Sequence, residues 1–174
     1  MSEATEKREG WSDATLAFLL LRLWLGMRAV ITGIEKFSTT VTEKKAAVNE
    51  LGEADIAGAM VLVKTKVYGI ANYAAVKGAL AKALASEPLL PEALRKPYYA
   101  VLGYALIVLG VMLLLGLCTR TSLFLMGLLY ISLTYGLILL GQDAGVAWLA
   151  IHVGLIAGAL LLARHNRLAL MKRF

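Results

Sequence analysis

The run Tyr98-Tyr-Ala-Val-Leu-Gly103-Tyr-Ala-Leu106-Ile-Val-Leu-Gly110-Val-Met-Leu-Leu-Leu-Gly116-Leu-Cys118 carries no charged side chain. About 20 apolar residues, coiled as a helix, cross the hydrocarbon core of a bilayer. Two more such runs follow almost without interruption, 121–140 and 146–163, and a fourth precedes it at 14–34. Over the whole 174 residues, 59% are hydrophobic and 17% charged. A soluble domain is nearer a quarter charged, and a chain this short has no core large enough for the surplus. The reading is an all-α integral membrane protein: a single membrane domain, 1–174, built as a four-transmembrane-helix bundle.

The connections set the topology. Thr119-Arg120 and the turn 141–145 are short, so the second, third and fourth helices run antiparallel as neighbours. With four spans, both termini and the Arg120 turn share one side. That side carries Lys7, Arg8, Arg120, Arg164, Arg167, Lys172 and Arg173 close to the spans. The other side spreads its cations over a loop of about 60 residues, where the positive-inside rule loses force. Both termini are therefore placed in the cytoplasm of a bacterial or archaeal cell, the spans crossing its cytoplasmic membrane. Tyr98, Tyr99 and Trp148 form an aromatic belt at the outer face. The formal charge of +6 sits in tails and loops, with no basic block long enough for nucleic acid. Mixed charges at Glu3, Glu6, Glu9 and Asp13, and Arg22 and Arg28 inside the first run, argue against a cleaved signal peptide.

Residues 38–97 form the long loop between the first two spans and are expected to carry short surface helices. Thr40-x-x-Glu43 reads as a capping box for a helix running through Ala47. Residues 54–86 are Ala/Val/Leu-rich but hold Lys64, Lys66, Lys77 and Lys82, so a fifth span is not expected. Two helices broken near Gly69, on the membrane surface or over the bundle mouth, are the expectation. Pro88 and Pro91 punctuate the approach to the second span, with Pro97 in its first turn.

Small residues mark packing seams. Gly26 and Gly33, Gly103 and Gly110, and Gly127, Thr134 and Gly141 each recur every seven residues, and Ala150-x-x-x-Gly154-x-x-x-Gly158 lies on the last span. Such positions let helices approach closely, within one chain or between copies in a homo-oligomer.

Polar tools in the spans are few. Arg22 lies near the middle of the first run, where an arginine costs roughly 2.5–3.5 kcal/mol on insertion scales and needs acceptors. The hydroxyls of Tyr104, Tyr130, Thr134 and Tyr135, free carbonyls, a quinone carbonyl or a lipid phosphate would serve. Arg22, Gly26, Ala29, Gly33 and Lys36 share one helical face, while Arg28 and Glu35 share another and are spaced to pair. His152 sits inside the last run, as a proton relay or a hydrogen-bonded interior histidine. A bis-histidine haem lacks a second histidine on a facing helix, and a di-iron bundle lacks its Glu-x-x-His motifs. Metal ligation is not expected. The single Cys118 excludes a thiol oxidase built on cysteine pairs. Without an acid in the spans, an ion-coupled carrier is disfavoured.

The first span, Arg22…Gly26…Gly33-Ile-Glu-Lys36-Phe37, resembles the opening motif of the DoxX/DoxD superfamily. Gly110-Val-Met-Leu-Leu-Leu-Gly116-Leu-Cys-Thr119-Arg120 is similar to its G-x-L-L-L-L-G-L-x-T-R signature. Asn166-Arg167-Leu168-Ala-Leu170 resembles its closing G-R-L-S-L. Two departures stand out: the family's Glu in the second span has no counterpart near Tyr104-Ala-Leu106, and loop 38–97 is closer in length to DoxD-like members. The resemblance implies a membrane subunit, or an assembly or anchor component, of a larger redox complex. The DoxD type implies in particular the quinone-binding small subunit of a thiosulfate:quinone oxidoreductase, Arg22 holding the quinone. No covalent cofactor is implied. The candidate ligand residues are Arg22, Arg28, Lys36, Tyr104, Tyr130, Tyr135 and His152, the expected partners are the lipid bilayer and other membrane or peripheral subunits, and Gly26, Gly33, Gly110, Gly154 and Gly158 are the packing positions.

Overall fold

A computed structural model describes residues 11–46 and 60–170. Four long helices dominate: α1 (Asp13–Glu35), α3 (Glu92–Leu115), α4 (Thr119–Leu139) and α5 (Asp143–Leu162). Each is long and apolar enough to cross a membrane. Their outward faces are apolar, with Leu20, Trp24, Val101, Phe124, Ile138 and Leu161 all exposed. Water is a poor solvent for such a surface, and an apolar bilayer is a good one. The chain is a multi-pass membrane protein.

α1 begins where Ser12 caps it, its side chain accepting from the Thr15 amide at 3.3 Å. α1 and α3 then pack antiparallel at their glycines. A Cβ on Gly26 would lie 3.1 Å from the Gly110 carbonyl oxygen, and one on Gly33 would lie 3.0 Å from that of Gly103. The two seven-residue repeats therefore face each other, and side chains there would push the backbones apart. α4 packs on α5 around Leu123, Met126, Tyr130, Ile156 and Ala159, all buried. Gly154 and Gly158 are different: a Cβ on either meets no atom within 4 Å.

The spans differ slightly from their expected bounds. α3 starts at Glu92, so Pro97 lies inside it rather than in its first turn. It ends at Leu115, and the connection to α4 is Gly116-Leu117-Cys118 rather than Thr119-Arg120. Gly116 at φ 74° and Cys118 at φ 41° turn the chain back in the left-handed region.

The segment between α1 and α3 is not the set of surface helices the sequence suggested. β1 (Ser38–Ala46) and β2 (Met60–Tyr68) pair as an antiparallel two-stranded sheet, Ser38 opposite Tyr68 and Ala46 opposite Met60. The expected helix from Thr40 is thus a strand, its far end at Ala47 outside the described residues. β-Branched residues explain the difference: Thr39-Thr40-Val41-Thr42 and Val61, Val63, Thr65 and Val67 lose side-chain freedom in a helix and suit a strand. Beyond Gly69 come a 3-10 turn (Ile70–Asn72) and a short helix, α2 (Gly78–Ala85). Only the second of the two expected helices forms; of the first, residues 54–59 lie outside the described set.

Candidate functional site

Arg22 finds its acceptors inside the protein. Its Nη1 donates to Asn166 Oδ1 at 2.8 Å and to the Leu168 carbonyl at 3.0 Å, and its Nη2 donates to the Leu114 carbonyl at 3.2 Å. Asn166 in turn donates to Thr119 Oγ1 at 2.9 Å. Leu114 belongs to the last turn of α3, where carbonyls have no helical partner. Arg22 therefore satisfies an orphan carbonyl at the negative end of the α3 dipole and ties the chain after α5 across it. Although central in α1, Arg22 lies level with the end of α3, because α1 runs about two turns further. Its Nε is buried with no partner among the described residues.

Two other candidates meet. Tyr130 on α4 and His152 on α5 lie edge to face, ring centroids 5.7 Å apart, while Arg28 is exposed on α1. His152 Nδ1 lies 2.8 Å from the Trp148 carbonyl, so the proton belongs on Nδ1. That leaves the Nε2 lone pair buried and without a partner among the described residues. Arg28 does not pair with Glu35. The Glu35 carboxylate takes Lys66 Nζ at 2.6 Å and the Tyr68 hydroxyl at 3.0 Å instead, because β2 brings both to the end of α1.

Tyr104 joins an aromatic cluster with Phe37 and Tyr73, centroids 4.8–5.4 Å apart. Tyr73 donates to the Tyr99 carbonyl and accepts from the Gly103 amide at 3.1 Å. This cluster fixes the segment after β2 against α3.

Lys36 and Tyr135 line a cleft of about 1480 Å³ between α3 and α4, at the end of the bundle away from Arg22. The base of the hairpin and α2 border it. Leu84, Leu128, Ile131, Leu133 and Leu149 make its walls apolar. Leu128, Ile131 and Tyr135 are also exposed, so the cleft opens sideways on a face of the spans. The Tyr98 hydroxyl and Ser132 Oγ bridge α3 and α4 at 2.7 Å along this wall.

The border is cationic. Lys36, Lys66, Lys77 and Arg95 line the cleft against a single carboxylate, Glu35. The hydrogen bond to Glu35 holds Lys66 above the usual lysine range. Burial, with the neighbouring Lys77 charge second, pushes Lys36 below it. Lys77 donates to the carbonyls of Glu35 and Ser38 and to the Ser38 hydroxyl. Arg95 donates to the Leu84 carbonyl at 2.9 Å.

Sequence reasoning missed Lys77, Arg95, Tyr98 and Ser132 as cleft residues. Tyr98 read as an interface anchor, and Lys77 and Arg95 as ordinary loop cations. The one available signal was the surplus of cations between the first two spans. Asn166 stood in a quoted motif, but nothing in the sequence paired it with Arg22. Among the described residues, no three His, Cys, Asp or Glu side chains gather as a metal site. Comparison with protein families, with curated proteins and with solved structures finds no match to this chain.

Proposed function

We propose that this chain is a DoxX-like membrane subunit, or an assembly or anchor component, whose own contribution is to hold a lipophilic ligand for a larger membrane complex. The carrying observation is the cleft. Its volume of about 1480 Å³ exceeds the roughly 300–1,000 Å³ of ordinary ligand pockets, and its walls are apolar and open on the spans. A ligand dissolved in the bilayer reaches such a cleft without crossing water. Any redox chemistry belongs to the assembly with a partner subunit. The Lys/Arg distribution supports both termini on the cytoplasmic side of a bacterial or archaeal cytoplasmic membrane.

A direct test titrates the purified protein with an environment-sensitive lipophilic dye. Binding is expected, and Ile131→Trp, which narrows the cleft, is expected to weaken it. A dye that binds neither protein, or both equally, overturns the reading.

The quinone reading has its own support in the Tyr98–Ser132 hydroxyl pair, two polar groups bridging the cleft wall within reach of a ring carbonyl. It moves the quinone from Arg22, whose acceptors are internal, to the cleft. Ubiquinone or menaquinone should quench Trp148 on the cleft wall, and Tyr98→Phe with Ser132→Ala should weaken that binding. A protein that holds no quinone yet co-purifies with larger subunits leaves the assembly role alone.

A further inference from the structure

Resting on the reading of the cleft as a site for a lipophile, the charges on its border define the headgroup. Glu35 is engaged by Lys66, which leaves Lys36, Lys77 and Arg95 with no carboxylate within ion-pair distance among the described residues. Lys77 is pinned at the end of α1 by three oxygen acceptors. Arg95, in the first turn of α3, is held against the end of α2 through the Leu84 carbonyl. Lys36 stands beside Lys77, half-buried, its ammonium making no hydrogen bond among the described residues. Two like charges held together at the edge of an apolar volume are costly, and an anion between them removes the cost.

We propose that the cleft binds an anionic phospholipid of the surrounding bilayer, with its phosphate among Lys36, Lys77 and Arg95 and an acyl chain along the α3–α4 wall. Polarity runs the right way, with cations at the border and Leu128, Ile131 and Leu149 beyond it. Basic pockets between membrane helices are a known way of holding such headgroups. The size fits acyl chains better than one aromatic ring.

Trp148, 66% exposed on the cleft wall, is the reporter. In a Trp11→Phe/Trp24→Phe background it is the sole tryptophan. This protein is placed in phosphatidylcholine vesicles containing a minor fraction of brominated phosphatidylglycerol, or of brominated phosphatidylcholine with the same chains. The phosphatidylglycerol is expected to quench Trp148 more strongly at equal fraction. Lys36→Gln and Arg95→Gln should each lower that preference about fivefold, while Lys36→Arg keeps it, with circular dichroism showing all variants helical. Equal quenching by the two lipids overturns the headgroup assignment, as does a preference unchanged in the double Gln variant or displacement by a neutral ubiquinone. Loss of the preference in millimolar inorganic phosphate reassigns the cations to a soluble anion and overturns the lipid. Failure of the lipophilic dye to bind overturns the cleft reading itself, independently of these results.

Discussion

At Arg22, one guanidinium joins three parts of the chain: α1, the last carbonyls of α3 and the residues after α5. Arg22→Ala removes the partner of the Leu114 carbonyl and of Asn166 Oδ1, and each group left unsatisfied costs about 1–3 kcal/mol. The expected outcome is a loss of roughly 2–4 kcal/mol in unfolding measured in mixed micelles, with faster proteolysis after His165. Ligand binding in the cleft should be unchanged, since Arg22 lies at the other end of the bundle; weakened binding in a folded Arg22→Ala protein would return the ligand to Arg22. Lys36 carries the opposite sign of effect. Its folded-state affinity for a proton is lowered, so its charged form destabilises the empty protein below that lowered value. The penalty fades as pH rises through it. Lys36→Met is therefore expected to raise the melting temperature of lipid-free protein at neutral pH, with the gain shrinking in alkaline buffer. A gain that is flat with pH would mean that packing, not charge, explains it. His152, whose Nε2 is buried without a partner among the described residues, is expected to tolerate Leu with a change within about 1 kcal/mol. These roles were not legible beforehand because an arginine in an apolar run announces only that it needs acceptors. Which acceptors it finds depends on how far α1 overshoots α3, and no local pattern encodes that overshoot.

Among the elements, the glycine seams separate cleanly. Gly110 faces backbone: an added Cβ would sit 2.9 Å from both the Gly26 carbonyl oxygen and the Val30 amide nitrogen. Neither can move without shifting α1, so Gly110→Ala is expected to cost about 1–3 kcal/mol as an overpacking substitution. Gly158→Ala meets open space and improves helix propensity by up to about 1 kcal/mol. Paired unfolding curves of the two variants check this. If Gly158→Ala proves as harmful as Gly110→Ala, then α5 packs against another copy or partner there. The seven-residue spacing of Gly26, Gly33, Gly103 and Gly110 was readable in the sequence, because two equal repeats on antiparallel helices can face each other. The Gly154/Gly158 spacing looks equally persuasive and meets no helix among the described residues of one chain, so spacing alone does not select an interface within it. The hairpin was the plainest misreading. On β2, Lys64 and Lys66 stand two residues apart and share one face. The β-branched content of residues 39–42 and 61–67 was the signal that should have outweighed a capping box.

For the whole molecule, four apolar runs were enough to fix the spans, since bilayer thickness leaves little choice of length or secondary structure. The cleft was not readable, because its lining is drawn from all five helices, both strands of the hairpin and the 3-10 turn that follows the hairpin. Orientation follows from charge and from one useful atom. Cys118 is the only cysteine, half-exposed in the turn between α3 and α4. That turn stands at the same end of the bundle as the N-terminus of α1 and the chain after α5, since Arg22 ties all three together. If both termini are cytoplasmic, the Cys118 thiol faces the cytoplasm as well. A membrane-impermeant maleimide should then label Cys118 in inside-out vesicles and leave it untouched in intact spheroplasts. A cysteine placed at Thr65 in a Cys118→Ser background, on the hairpin at the far end, should show the reverse. Labelling of Cys118 from outside would invert the orientation and put the cationic border of the cleft in the inner leaflet, where juxtamembrane basic residues meet the negative surface potential of the cytoplasmic face. The same pair of cysteines thus decides which leaflet supplies the ligand.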